Sequence, residues 1–162
     1  MSNAIQAVVW HDLEGFTAGA ISHWNTGVAS AHIIIKRDGT IVLAVKIENT
    51  AWHAGSSSNP ASGTYGRTPF WRENNINAYS IGVELEGFAA DGPGPPIHVG
   101  GFESAQIVSC VKIAKWAKQK YGVPLIHIDD QIPGHHLHSE ISNLRSDPGP
   151  LFNLGSILAA AA

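Results

Sequence analysis

Apolar residues along the chain fall into short runs of two periods. Ala4–Trp10 is almost continuously apolar and stops at His11, the pattern of a short buried strand. Ala31–Ile35 and Thr40–Val45 are apolar and β-branched, and they flank Asp38-Gly39, so they predict a hairpin. Alternation puts Ala31, Ile33 and Ile35 on one face of its first arm and His32 and Ile34 on the other. Ser80–Glu86 predicts another strand, with Ile81, Val83 and Leu85 facing one way and Gly82, Glu84 and Glu86 the other. Leu125–Ile128 is a further candidate strand. The period changes over Ser104–Tyr121, where Ile107, Val108, Val111, Ala114 and Ala117 recur at helical spacing. Glu103 or Ser104 can open this helix, and Gly122-Val123-Pro124 closes it. A short helix over Leu151–Ala161 closes the chain, and residues 156–162 also read as a tail or linker.

The intervening stretches carry no period. Residues 12–28 read as glycine-rich and irregular. Residues 50–78 are a long loop containing Ser56-Ser57-Ser58, Pro60, Gly63, Gly66 and Pro69, and residues 87–101 are a second, broken by Pro93, Pro95 and Pro96. Loops of that length in a compact domain often carry function. Strands and helices mix without strict alternation. The expected fold class is therefore α/β: one domain over residues 1–162, a central mixed β-sheet flanked by helices, and loops framing a groove.

Composition narrows the function. The chain has 162 residues, enough for one core, and a formal net charge of −3 with no basic run, which excludes an ordinary nucleic-acid binder. No segment approaches the ~20 apolar residues of a membrane helix, so no membrane insertion is expected. The opening MSNAIQAVVW does not read as a secretory signal. Cys110 is the single cysteine and, lying in a helical pattern, reads as a buried free thiol. The anomaly is histidine, with nine in the chain. Imidazole is the commonest metal ligand, and many histidines with one cysteine favour a mixed N/O catalytic site over a structural Cys-rich one.

Three regions could supply that chemistry. His11 ends the first apolar strand, although a histidine there also serves as plain structure. Asp147 lies on a Pro/Gly-stiffened turn after the cluster His135, His136 and His138, although an Asp before Pro also caps turns. Two histidines and one aspartate would give a zinc ion three protein ligands and leave a fourth position for water, the catalytic pattern. Glu84 and Glu86 share a strand face; on a groove-lining sheet they would be proton shuttles, and on a half-exposed strand merely solvated.

These segments, taken in order, resemble the zinc amidase superfamily that includes phage amidase-type lysozymes, anhydro-muropeptide amidases and peptidoglycan recognition proteins. The likeness rests on Val8-Val9-Trp10-His11, Ser30–Thr40, Ala51-Trp52-His53-Ala54-Gly55, Ser80–Gly87, Phe102–Gln106, His138-Ser139-Glu140-Ile141 and Arg145–Pro150. It implies a peptidoglycan recognition protein-like amidase fold. It also implies one zinc ion per chain and hydrolysis of the amide between N-acetylmuramic acid and L-alanine, in peptidoglycan or a muropeptide. Within it His11 corresponds to the first zinc ligand, Asp147 to the third and Glu84 to the catalytic carboxylate. Ala31 stands where relatives lacking that Glu often carry Tyr. Arg145 stands where a catalytic Lys is frequent, keeping the charge but changing its shape. For the second ligand the resemblance favours His138, with His135 and His136 as alternatives. Trp52 and His53 are expected along the substrate groove, with His32 reaching substrate or packing behind them. Glu86 is expected to raise the pKa of Glu84. A monomer is expected. The setting stays open between a phage or prophage endolysin or wall amidase, made in the cytoplasm and acting at the wall, and a cytoplasmic recycling enzyme. A non-catalytic peptidoglycan-binding module is the alternative, disfavoured by retention of His11 and Asp147.

Overall fold

The computed structural model describes residues 4–55, 70–71, 75–88, 102–142 and 144–162, so most of the two expected long loops lies outside the described residues. Five strands form one sheet: β1 (Ala7–Asp12), β2 (Ile33–Ile35), β3 (Ile41–Leu43), β4 (Ser80–Leu85) and β5 (Gly134–Leu137), in the order β3-β2-β4-β1-β5. β2 and β3 form the antiparallel hairpin expected around Asp38-Gly39, and the remaining pairs are parallel. Gly39 takes φ +84°, the left-handed conformation the turn needs. The sheet is mixed, as the sequence implies.

The described helices are α1 (Thr17–Trp24), α2 (Ser104–Tyr121), the single turn α3 (His138–Ile141) and α4 (Leu154–Ala161). Alternation along the strands decides which face each layer covers. Val8 and Trp10 of β1, Ile33 and Ile35 of β2, and Ile81, Val83 and Leu85 of β4 all point to the side where α2 and α4 pack. The main core forms there, completed by Cys110, Ile113, Ala114 and Ala117 of α2 and Leu154, Ile157, Leu158 and Ala161 of α4. Cys110 is the expected buried thiol, and burial pushes its pKa far up. The opposite face carries a smaller cluster of Ala7, Val9, Ala54, Trp71, Ile76 and Ile141, and it holds the polar side chains.

Several sequence expectations change. Residues 12–28 contain α1, whose helical pattern is faint because it buries only Thr17 and has no side-chain N-cap bond. Leu125–Ile128 forms no strand: Ile126 and Ile128 are exposed, and only the Ile126 carbonyl accepts from His135. The buried stripe of α2 runs through Gln106, Cys110, Ile113 and Ala117, leaving Val108 54% exposed. Gln106 turns the helix this way: its side chain closes the capping box with Glu103, and its Nε2 donates to the carbonyls of Glu86 (2.9 Å) and Ile35 (3.3 Å). Residues 156–161, read as a possible tail, are the body of α4, with Ile157, Leu158 and Ala161 buried. No described helix is long and apolar enough to cross a membrane.

β5 is unusual in burying two adjacent imidazoles. His135 faces the main core, where the Trp10 indole N–H donates to its Nδ1 at 3.2 Å; His136 faces the other way, edge-on to Trp71. Burial, helped by the neighbouring His136 and His127, lowers the His135 pKa from 6.5 to about 3. Below pH 6.5 the unfolded chain therefore takes up a proton that the folded chain refuses. The His135 contribution is complete above about pH 6.5 and is lost as pH falls toward 3. Urea unfolding at pH 7.5 and pH 5 is expected to show a lower midpoint at pH 5. In His135→Asn, whose amide oxygen can still accept from Trp10, the gap between the two midpoints is expected to shrink.

Candidate metal centre and groove

Three parallel strands, β1, β4 and β5, run to one end of the sheet, and side chains at or just past their carboxyl ends meet there. Such carboxyl ends are where open parallel sheets commonly place their sites. β1 and β4 pair with His11 level with Glu84. β1 and β5 pair with Trp10 level with Leu137, so His138 follows at the level of His11. Asp147 arrives from the turn beyond α3, with its carbonyl accepting the Ser139 N–H at 2.9 Å. His11 Nδ1 and His138 Nδ1 lie 2.9 Å apart, and Asp147 Oδ2 lies 3.1 Å from the latter and 3.4 Å from the former. All three residues are buried.

This triad fits a zinc ion on spacing and on donor type. Bonds of roughly 2.0–2.2 Å in a tetrahedron place ligand atoms about 3.3–3.6 Å apart, close to the separations seen. Two nitrogens and one carboxylate oxygen would leave a zinc ion a fourth position, the pattern of a catalytic site, and the three residues are the one such group among the described residues. Burial and the neighbouring His138 lower the His11 pKa from 6.5 to about 4, so its lone pair is free at neutral pH. Burial pushes the Asp147 carboxyl up, but hydrogen bonds with His11 and His138 outweigh it and hold the group far below the usual carboxylate range.

The register also separates His138 from its rivals. His135 faces the main core, and His136 is level with Val9, two positions down β1 from His11, a distance of about 6.6 Å along a strand. Neither reaches the triad.

Glu84 is half-buried, and its Oε2 is enclosed without a hydrogen-bond partner. Burial, then the charges of Asp147 and Asp12, push its pKa well above 4.5, with Arg145 acting in the opposite direction. Glu86 plays no part in that shift. Its carboxylate leaves the site and accepts the Thr17 N–H (2.9 Å), the Thr17 hydroxyl (2.8 Å) and the Arg37 N–H (3.1 Å). Against the upward push of burial, these bonds hold it below its ordinary value.

The triad and Glu84 floor an open cavity of about 380 Å³. Arg145 and Trp52 border it, both exposed. His53 also lies at the cavity, but it is 7% exposed and both its ring nitrogens are taken. His32 lies outside the lining. It is 1% exposed, accepts the Gly82 N–H at Nδ1 and bonds the Asn49 carbonyl through Nε2, so no ring nitrogen is left for substrate. The sequence reading missed the cavity's other wall, which is Asp12, Glu14 and the α1 residues Gly19, Ala20, His23 and Trp24, with Phe16 just before. The spacing of Phe16, Ala20 and Trp24, four apart, is the signal that marks this helix. Glu14 sits at φ +50°, a strained conformation of the kind that clusters at functional sites.

Comparison with known proteins points the same way. The sequence profile of the N-acetylmuramoyl-L-alanine amidase family matches residues 1–150. N-acetylmuramoyl-L-alanine amidase A of Achromobacter lyticus is 29% identical over 93% of this chain and 80% of its own length. The 1,6-anhydro-N-acetylmuramyl-L-alanine amidase AmpD of Haemophilus influenzae is 33% identical over 76% of this chain; the match spans 54%, about half, of that protein. Among solved structures, AmpDh3 of Pseudomonas aeruginosa in complex with an anhydromuramic pentapeptide superposes with TM-score 0.71 at 26% identity, over 99% of this chain and 61% of that one. AmiD of Escherichia coli, at 22% identity and TM-score 0.72, shares the fold.

Zinc titration by competition with a chromophoric chelator is expected to give one tight site per chain. His138→Ala is expected to abolish it, and His136→Gln to leave the stoichiometry unchanged. The reverse pattern would move the second ligand to His136.

Proposed function

We infer, for a chain that belongs to the N-acetylmuramoyl-L-alanine amidase family, that His11, His138 and Asp147 hold one catalytic zinc beside Glu84. The reaction is hydrolysis of the amide joining the lactyl group of N-acetylmuramic acid to L-alanine. The observation that carries this reading is a buried N,N,O triad that shares one cavity with the half-buried Glu84, whose Oε2 is enclosed without a hydrogen-bond partner. The pentapeptide bound by AmpDh3 supports a muropeptide as the substrate class.

When bound, zinc supplies Lewis-acid polarisation of the scissile carbonyl and acidifies water toward a pKa of ~7. The chain's own residues do the rest. Glu84 accepts a proton from the attacking water. Its raised pKa suits this work near neutrality and lets it hand the proton to the departing amine nitrogen, so that amide and water leave as carboxylic acid and amine. The exposed Arg145 guanidinium offers hydrogen-bond donors to the oxygen on which negative charge develops. Trp52, Phe16 and Trp24 offer apolar faces along the groove, suited to the flat side of a sugar ring.

Glu84→Gln is expected to keep one zinc per chain and to lose roughly 10²- to 10⁴-fold in kcat on an anhydro-muropeptide, followed by chromatography of the released peptide. Full activity would remove Glu84 from the chemistry. Arg145→Ala is expected to cost about 10²-fold, equivalent to the ~3 kcal/mol of one oxyanion donor, with Arg145→Lys recovering part of it. Running wild type on intact sacculi and on soluble muropeptides assigns the setting: clearance of sacculi marks a wall-acting enzyme, and action on soluble fragments alone a recycling one.

A further inference from the structure

His53 sits between a metal ligand and the body of the protein. Its Nδ1 lies 3.0 Å from His11 Nε2, and its Nε2 lies 3.0 Å from Ser80 Oγ. Ser80 Oγ in turn lies 2.6 Å from the Ile76 carbonyl oxygen. A carbonyl can only accept, so the short contact commits the Ser80 hydroxyl proton to Ile76. Ser80 Oγ can then only accept from His53, which makes His53 Nε2 the donor and leaves Nδ1 as a bare acceptor. That acceptor requires the proton on His11 Nε2, and the His11 Nδ1 lone pair is left pointing at His138 Nδ1 and Asp147 Oδ2. A single backbone carbonyl thus sets the direction of every bond in the row.

We infer that His53 is a positioning residue: it fixes the Nε2–H tautomer and ring angle of His11, so that Nδ1 is presented to the metal. This rests on His11 being a zinc ligand, as proposed above. The surroundings are built for it. The backbone N–H groups of His53 and Ala54 both donate to Asn77 Oδ1, at 3.1 and 2.9 Å, and Asn77 Nδ2 donates to the Gly55 carbonyl at 2.6 Å. The ring lies over Gly82, where a Cβ would come within 2.4 Å of His53 Cγ, so β4 has no side chain at that rung. The adjacent His32 is already satisfied by Gly82 and Asn49 and does not compete for the proton. The row ends on a neutral carbonyl and not on a carboxylate, so it orients His11 without stabilising an imidazolium.

The test uses the full chain, with zinc alone as the probe. Asn at position 53 keeps an acceptor where Nδ1 stands, whereas Gln places its amide nearer the Nε2 position and leaves the His11 N–H unmatched. His53→Asn is expected to hold zinc within a few-fold of wild type, and His53→Gln to lose 10- to 100-fold in affinity. Equal affinity in His53→Gln and wild type, or an equal fall in both variants, overturns the proposal. Nitrogen-15 spectra of the wild-type imidazoles are expected to show Nε2–H tautomers for His11 and His53 with and without zinc. An Nδ1–H tautomer at His53 overturns it even where a variant fails to fold. If wild type takes up no zinc, the metal reading fails, while the metal-free spectra still judge the hydrogen-bonded row.

Discussion

The site depends on the in-register parallel pairing of β1 with β4 on one side and β5 on the other. Side chains alternate with a period of two, so a slip of one residue in β1 would send His11 into the apolar core and Trp10 into the groove. Apolar packing prevents the slip. Trp10 is fully buried, lies against Phe152 and donates to His135, and each of those contacts is lost in the shifted register. At the far end of β4, Gln106 ties the carbonyls of Ile35 and Glu86, which fixes where β2 and β4 stop. The candidate metal triad therefore inherits its geometry from a core on the other side of the sheet.

A second constraint is charge. The face opposite α2 buries His11, His32, His53 and His138 close to one another, with His136 two positions further down the sheet. Burial lowers the pKa of His11, His32, His53 and His136, so that they stay neutral at physiological pH. Neutral imidazoles can each donate once and accept once, which lets His32 and His53 form directed hydrogen bonds instead of repelling each other. The same neutrality keeps a lone pair available at His11. A cluster of this kind works in neutral solution and is vulnerable in acid, because protons that the folded face excludes are taken up on unfolding.

Much of this was legible in the sequence, and the reasons for the gaps are physical. β1, the β2–β3 hairpin, β4 and α2 announce themselves because each buries a whole face, so burial is written in period two or period 3.6. α1 buries Thr17 alone, so its trace is faint, no more than the four-residue spacing of Phe16, Ala20 and Trp24, and α3 is a single turn with no trace at all. His11 stands out because it follows an apolar run, and Glu84 because it is a carboxylate on a strand whose other face is apolar. Choosing His138 over His136 needs the β1–β5 register, which is a long-range property that no local pattern contains. The role inferred for His53 depends on Ser80 and Ile76, more than twenty residues away, so the sequence alone shows only a residue of the groove.

Glu84 and Glu86 show how the surroundings, and not the residue type, assign a role. They lie two positions apart in one segment, and the sequence offers both as acids for one site. The structure separates them by what their oxygens touch. Glu86 meets three donors, two of them from Thr17 at the start of α1, and so binds the groove wall to the end of β4. Its carboxylate is satisfied and stays charged, which suits a fixed structural tie. Glu84 has an oxygen enclosed without a donor, and burial with the charges of Asp147 and Asp12 pushes its pKa well above the ordinary value. One carboxylate holds the wall in place and the other keeps the raised pKa that the proposed proton transfer needs, and the division follows from hydrogen bonds that only the folded chain can make.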